Sequence, residues 1–313
     1  MKTKKDTTHE QGKQKIFTEP IAGIPWRAIQ MVHERGFKDF ARAEGYHELD
    51  IEDCYHGRQI AKVVERDDYV FIVAKIARFE AEHRRLTFDD FDIFARPDSI
   101  VTVEETPSSL VEKIHDRFPA TPDPNKNNIS YFIYAILDEI VDEYLVMLDT
   151  IGESIHDLEG HVWKDPTPQM LEQIFKIKGS LTEFRRNAGG MREVVSILIR
   201  HPRVKTDGDL ENYYRDLYEH LIRVIEFIET YRDVLNGSID IYLSAVANRT
   251  NEISKVMAVY GTIALPFIVI TGMYGMNIPL PFQESPHSFA IVLAFMVLSA
   301  AVALLFFKKH RWF

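Results

Sequence analysis

Apolar and polar positions change rhythm along this 313-residue chain. In the first 125 residues or so the apolar runs are short. Tyr69-Val-Phe-Ile-Val-Ala-Lys-Ile-Ala is β-branched and apolar, as a buried strand requires. Phe91-Asp-Ile-Phe-Ala alternates, and Ser99-Ile-Val-Thr-Val-Glu gives a third strand, with Arg96-Pro97-Asp98 as the turn between those two. Helical spacing predicts helices over 26–34 and 108–118. The Pro- and Asn-rich stretch 119–128 then marks a boundary. Residues 129 to about 163 place apolar side chains at helical spacing opposite an acidic face that includes Asp138, Glu139, Asp142 and Glu143. Lys164-Asp-Pro-Thr-Pro breaks this helix. A second, 169 to about 200, carries Lys176, Lys178, Arg185, Arg186 and Arg192, and the two are expected to pair as an antiparallel hairpin, acidic against basic. From Gly208 the helical pattern hardly stops until Tyr274, an element approaching about 100 Å that needs neighbours, most simply further copies of itself.

Two stretches near the C-terminus change the class of the protein. Residues 256–274 and 289–307 each approach the roughly 20 apolar residues that carry a helix across a bilayer. Lys308-Lys309-His310-Arg311 follows the second, Arg249 and Lys255 precede the first, and the loop between, 277–288, has no Lys or Arg. The positive-inside rule then puts both termini in the cytoplasm and the loop outside, with Trp312 in the interfacial belt. Hydropathy alone also allows a plain hairpin anchor for a cytosolic domain.

Charge and motifs narrow the chemistry. The formal net charge of -10 argues against nucleic acid, whose phosphates select Lys/Arg surfaces, and suits a cation. One cysteine, Cys54, excludes an intrachain disulfide and a thiolate metal cage and fits a reducing compartment. The polar first 16 residues lack the apolar core of a signal peptide and read as a flexible tail. No GxxxxGK[ST] or HExxH motif is present, and His156 and His161 are five apart, off one helical face.

The first span ends in Tyr274-Gly275-Met276-Asn277. At the end of the first of two C-terminal spans this resembles the signature of the CorA family of magnesium channels. Further runs resemble that family: Asp50-Ile-Glu-Asp-Cys with Arg58-Gln59; Tyr214-Arg-Asp-Leu-Tyr-Glu-His220; and Tyr231-Arg-Asp-Val-Leu-Asn-Gly through Asp240-Ile-Tyr-Leu-Ser to Asn248-Arg-Thr-Asn-Glu. The outer loop departs from it. Many members carry an acidic Met-Pro-Glu-Leu there, whereas here Glu284 is the only acid, and Ser254 stands where many have another polar residue or Met.

The resemblance implies an α+β membrane protein: a flexible tail 1–16, a cytosolic α/β domain 17–125, a helical hairpin and stalk 126–255, and a two-helix pore domain 256–313, in a funnel-shaped homopentamer. It implies Mg2+ influx across the cytoplasmic membrane, with Co2+ and Ni2+ as further cargo, and no enzymatic step. Mg2+ gives up its waters reluctantly, so a filter that holds the hydrated ion through neutral oxygens suits it. A ring of Asn277 amides does this, with Gly275 and Met276 completing the filter and Gly275 letting the backbone turn. Locally Asn277 reads equally as a helix C-cap. The resemblance places Met257, Gly261 and Leu265 along the pore, with Thr262 nearby, and Asp240 at the inner mouth; each also reads as packing or solvated surface. It makes Asp53 and Asp216 the ligands of a regulatory Mg2+ between neighbouring subunits, although Asp53 reads equally as a local partner of Arg58. Membrane lipid is the remaining partner. The alternatives are a zinc transporter of the ZntB type, which usually varies the residue occupied here by Met276, and a membrane-anchored sensor or scaffold with no pore.

Overall fold

The computed structural model describes residues 15–310, apart from 22, 31–35, 57–58, 81–84, 119–127, 164–165, 205–207, 279 and 282–285. The expectations for Arg58, most of the 119–128 linker, Glu284, Arg311 and Trp312 lie outside the described residues. By compactness the chain divides between Ile239 and Asp240.

The first unit is built on a six-stranded sheet of order β1-β2-β6-β5-β4-β3: β1 (Lys15–Ile21), β2 (Ile24–Gln30), β3 (Lys62–Glu65), β4 (Val70–Glu80), β5 (Arg85–Ala95) and β6 (Ile100–Glu104). All neighbours are antiparallel except β2 and β6. The three apolar runs become β4, β5 and β6, and the Arg96 amide closes the expected turn on the Ser99 carbonyl. The helix expected over 26–34 is instead β2 up to Gln30. Trp26, Ala28 and Ile29 are buried there, and the Trp26 indole N–H donates to Thr102 Oγ1 of β6 at 3.0 Å. Pairing on both edges overrides the helix propensity of Arg27, Ala28 and Gln30 in this segment. Lys15 and Ile16, expected to belong to a flexible tail, lie in β1, and the rest of that expectation lies outside the described residues.

Two short helices, α1 (Phe37–Ala43) and α2 (Glu48–His56), contribute Phe37, Ala41, Ile51 and Cys54 to a core shared with Phe71, Val73, Phe94 and Val103 of the sheet. A third, α3 (Leu110–Arg117), precedes the long helices α4 (Ile129–Val162), α5 (Pro168–Ile199) and α6 (Asp209–Tyr274). Asn128 caps α4 by accepting from the Tyr131 amide, and Thr167, ahead of Pro168, caps α5. Phe132 of α4 meets the Trp26 ring edge-on, and the Tyr144 hydroxyl donates to the Lys75 carbonyl. Tyr214, Leu217, Leu221, Val224 and Ile228 of α6 are fully buried at three- and four-residue spacing, and Leu235 follows seven residues on, an inward helical seam. Tyr214 donates to the Ser130 carbonyl, Lys178 to Asn236, and Arg185 pairs with Glu229. Gly152 marks a close approach: a methyl there would meet the Tyr231 hydroxyl and force the ring to shift.

The expected charge pairing of α4 with α5 is replaced by other pairs. Acids of α4 meet α3, with Arg117 on Asp138 at 2.5 Å and Lys113 on Glu143 at 2.9 Å, whereas Arg185 and Lys178 of α5 reach α6. The inner faces of α4 and α5 are apolar, so their charged faces point away from each other and take partners elsewhere.

The second unit holds the rest of α6 and α7 (Ser288–Lys309). Both helices are long and apolar enough to cross a membrane, and almost none of either apolar stretch is buried inside the chain. Neither apolar stretch is packed as the core of a soluble domain.

Candidate functional site

The C-terminal end of α6 forms the first candidate site. The Gly275 amide donates to the Thr271 carbonyl at 2.9 Å, and the Met276 amide to the Met273 carbonyl at 3.1 Å. The helix therefore ends by tightening into a shorter turn. Gly275 is not among the left-handed glycines, which are Gly23, Gly36, Gly45 and Gly208. A methyl there would stand 3.2 Å from the Thr271 carbonyl oxygen, a tight contact at the turn. Asn277 is exposed and makes no hydrogen bond to a described residue, so its amide is free to meet a ligand. The Tyr274 hydroxyl donates to the Pro281 carbonyl at 3.0 Å.

Below this end, Met257 is 69% and Leu265 61% exposed, and Gly261 and Asp240 are exposed as well. Met257, Gly261 and Leu265 follow each other at four-residue steps and share a stripe about 80° wide on a regular helix. The Thr262 hydroxyl donates to the Ala258 carbonyl of its own helix. Pro266 has no N–H for the Thr262 carbonyl, yet the helix runs through it.

The expected regulatory carboxylates belong to different elements. Asp53, on α2, pairs with Lys62 Nζ at 2.6 Å, so a cation there must share or displace an ammonium group. Asp216, on α6, is exposed, with His220 Nε2 at 3.7 Å. Within one chain the two share no contact among the described residues.

A third set escaped sequence reasoning. Asp138 and Asp142 of α4 and His220 of α6 each offer a ligand atom, all within 4.8 Å of one another. Asp138 is buried and held by Arg117. Burial first, and then the nearby Asp138 and Glu139, raise the Asp142 carboxyl above its usual range. His220 Nδ1 is buried without a hydrogen-bond partner. Two carboxylates and an imidazole in this arrangement suit a divalent cation, which would relieve the repulsion between the acids. The available signal was spacing: Asp138 and Asp142, like Asp216 and His220, are four apart, one turn along a helix.

A buried group of charges lies beneath α2. Asp90 takes the Lys75 ammonium, and Asp92, 2% exposed, leaves one carboxylate oxygen without a partner. Burial first, and then Asp90, push the Asp92 carboxyl up to about 8. Burial also drives the Cys54 thiol well up, which keeps it from acting as a thiolate ligand.

Residues 22–309 match the family model described as CorA-like Mg2+ transporter protein. Among curated proteins, the chain is similar to the cobalt/magnesium transport protein CorA of Thermotoga maritima: 31% identical over 270 residues, covering 86% of this chain and 77% of that protein. Among solved structures, it superposes on the complete structure of the CorA magnesium transporter from Methanocaldococcus jannaschii with a TM-score of 0.80 at 24% identity, covering 93% and 92% of the two chains. The ZntB cytoplasmic domain from Vibrio parahaemolyticus is a more distant likeness of fold, with a TM-score of 0.58 at 13% identity over 73% of this chain and 88% of that one.

Proposed function

The chain belongs to the family of CorA-like Mg2+ transporter proteins, and from that premise we propose that it is a channel for Mg2+ influx across the cytoplasmic membrane, with Co2+ and Ni2+ as further cargo. The observation that carries this reading is the free, uncharged amide of Asn277 at the end of a membrane-length helix. A neutral oxygen accepts from the water shell of Mg2+ without stripping it and without a fixed charge to trap the ion. A divalent cation entering a negative interior gains about 4.6 kcal/mol per 100 mV, so influx needs no hydrolysis.

In this reading five copies, the number implied by the sequence resemblance, line one pore with Met257, Gly261 and Leu265, and Asp240 draws cations to the inner mouth. Ile241, Leu243, Val246 and Ile253, exposed on one chain ahead of the apolar segment, support self-association. Asp53 and Asp216 of neighbouring copies hold a regulatory Mg2+ that keeps the pore shut. The Asp138–Asp142–His220 set, four residues from Asp216 on α6, adds ligands to the same response.

Metal uptake into proteoliposomes tests the reading, with Mg2+, Co2+ and Zn2+ compared side by side. Mg2+ uptake that is lost in Asn277→Ala, with the oligomer intact, is the expected result. Uptake of Zn2+ alone would assign a zinc transporter, and no uptake of any of the three would leave a membrane-anchored sensor.

A further inference from the structure

One side-chain contact at the end of α6 reaches past the Gly-Met-Asn turn. The Tyr274 hydroxyl donates to the Pro281 carbonyl at 3.0 Å, and the two residues are seven apart with Asn277 between them. On the helix side the turn is already tied down, by Gly275 to Thr271 and by Met276 to Met273. Asn277 itself is anchored by no hydrogen bond to a described residue. Its position depends on what holds the chain before and after it. Pro281 has no backbone N–H, so its carbonyl is its one backbone hydrogen-bonding group, and Tyr274 takes it. A tyrosine makes this link with a rigid ring, which fixes the span between donor and acceptor more tightly than a flexible side chain does.

We infer that Tyr274 is a positioning residue for the outer filter: its hydroxyl fixes the chain beyond Asn277, so that the amide meets the hydrated cation at a set distance. This rests on the filter role proposed for Asn277. The near-neutral outer loop sharpens the need. With Glu284 the loop's only acid, little charge outside concentrates the ion, and affinity depends on amide geometry. Losing one hydrogen bond of ordinary net strength weakens the hold on the ion about three- to tenfold.

The test uses the full-length chain in proteoliposomes, with cobalt hexammine as the probe because it mimics hydrated Mg2+ and keeps its ligands. Tyr274→Phe retains the ring and removes the donor. The expected result is wild-type uptake at saturating Mg2+, with the KM for Mg2+ and the half-blocking concentration of cobalt hexammine both raised about three- to tenfold. Lower maximal uptake with an unchanged KM and unchanged block would show a merely structural residue and overturn the inference. A second readout addresses the contact directly: a cysteine placed by Leu280→Cys is expected to react faster with an impermeant maleimide when Tyr274→Phe is added. An unchanged rate overturns the contact. If wild-type vesicles take up no metal, the channel reading falls, and the Leu280→Cys rate still decides whether the hydroxyl holds the loop.

Discussion

Asp92→Asn is expected to flatten the pH dependence of stability. Asp92 is buried on β5, with one carboxylate oxygen unpartnered, and its pKa is pushed up to about 8 by burial and by Asp90. The folded chain therefore keeps a proton that the unfolded chain gives up above about pH 4. Unfolding releases that proton between about pH 4 and pH 8, so stability falls as pH rises through this window and levels off above it. The slope is about 1.4 kcal/mol per pH unit, or about 3 kcal/mol from pH 5 to 7.5. Asparagine has nearly the same shape and no titrating proton, so this share of the slope disappears. Its extra N–H donors cost about 1–3 kcal/mol where they are buried without an acceptor, which makes the variant the less stable protein at pH 5. Its disadvantage then shrinks or reverses as pH rises. With about 2–4 °C per kcal/mol for a unit of this size, the difference in thermal midpoint between variant and wild type moves by about 6–12 °C across that range. Thermal unfolding of the full chain in detergent at four pH values, read by tryptophan fluorescence, measures it. Asp90, Glu104 and Asp142 also have raised carboxyls, but they titrate in both proteins and largely drop out of the difference. Parallel pH profiles for the two proteins would refute the reasoning.

Two further predictions concern regulation and topology. Asp53→Ala combined with Asp216→Ala is expected to raise the Mg2+ concentration that protects the N-terminal unit from protease by about tenfold or more, the ratio given by 1.4 kcal/mol of lost cation binding; an unchanged Mg2+ dependence would retire this pair and leave Asp138, Asp142 and His220 as the ligands to vary next. A cysteine at Ser285 is expected to react with an impermeant maleimide on intact cells, and one at His310 only after the membrane is opened, the reverse pattern refuting the orientation; native Cys54, buried with its thiol driven well up, stays silent in both.

The long helices were legible because burial is periodic over many turns: α4, α5 and α6 begin and end within a residue or two of the expected bounds. Short strands gave less to read. Lys62-Val-Val-Glu of β3 spans four residues, too few to set a period, and β2 carries helix-forming residues whose strand state comes from partners far along the chain. The end of α6 was legible as a motif, but not how close the Thr271 carbonyl comes to Gly275. The acids of α4 were visible one by one; that two of them converge with His220 is a fact of packing between helices about 80 residues apart in sequence.

The parallel pairing of β2 with β6 also sets an order of events on the ribosome. Strands β3 to β6 pair antiparallel in chain order and can assemble as they emerge. The β1–β2 hairpin comes out first, yet its inner neighbour lies 74 residues downstream, the separation of Gln30 from Glu104. At about 5–20 residues per second the hairpin waits about 4–15 seconds with an open edge. A two-stranded ribbon is barely stable alone, and an open edge invites pairing with other nascent chains. Pro20 and Pro25 face each other across this hairpin and offer no N–H, so a stray strand meets a blunted template while the native partner is still being made.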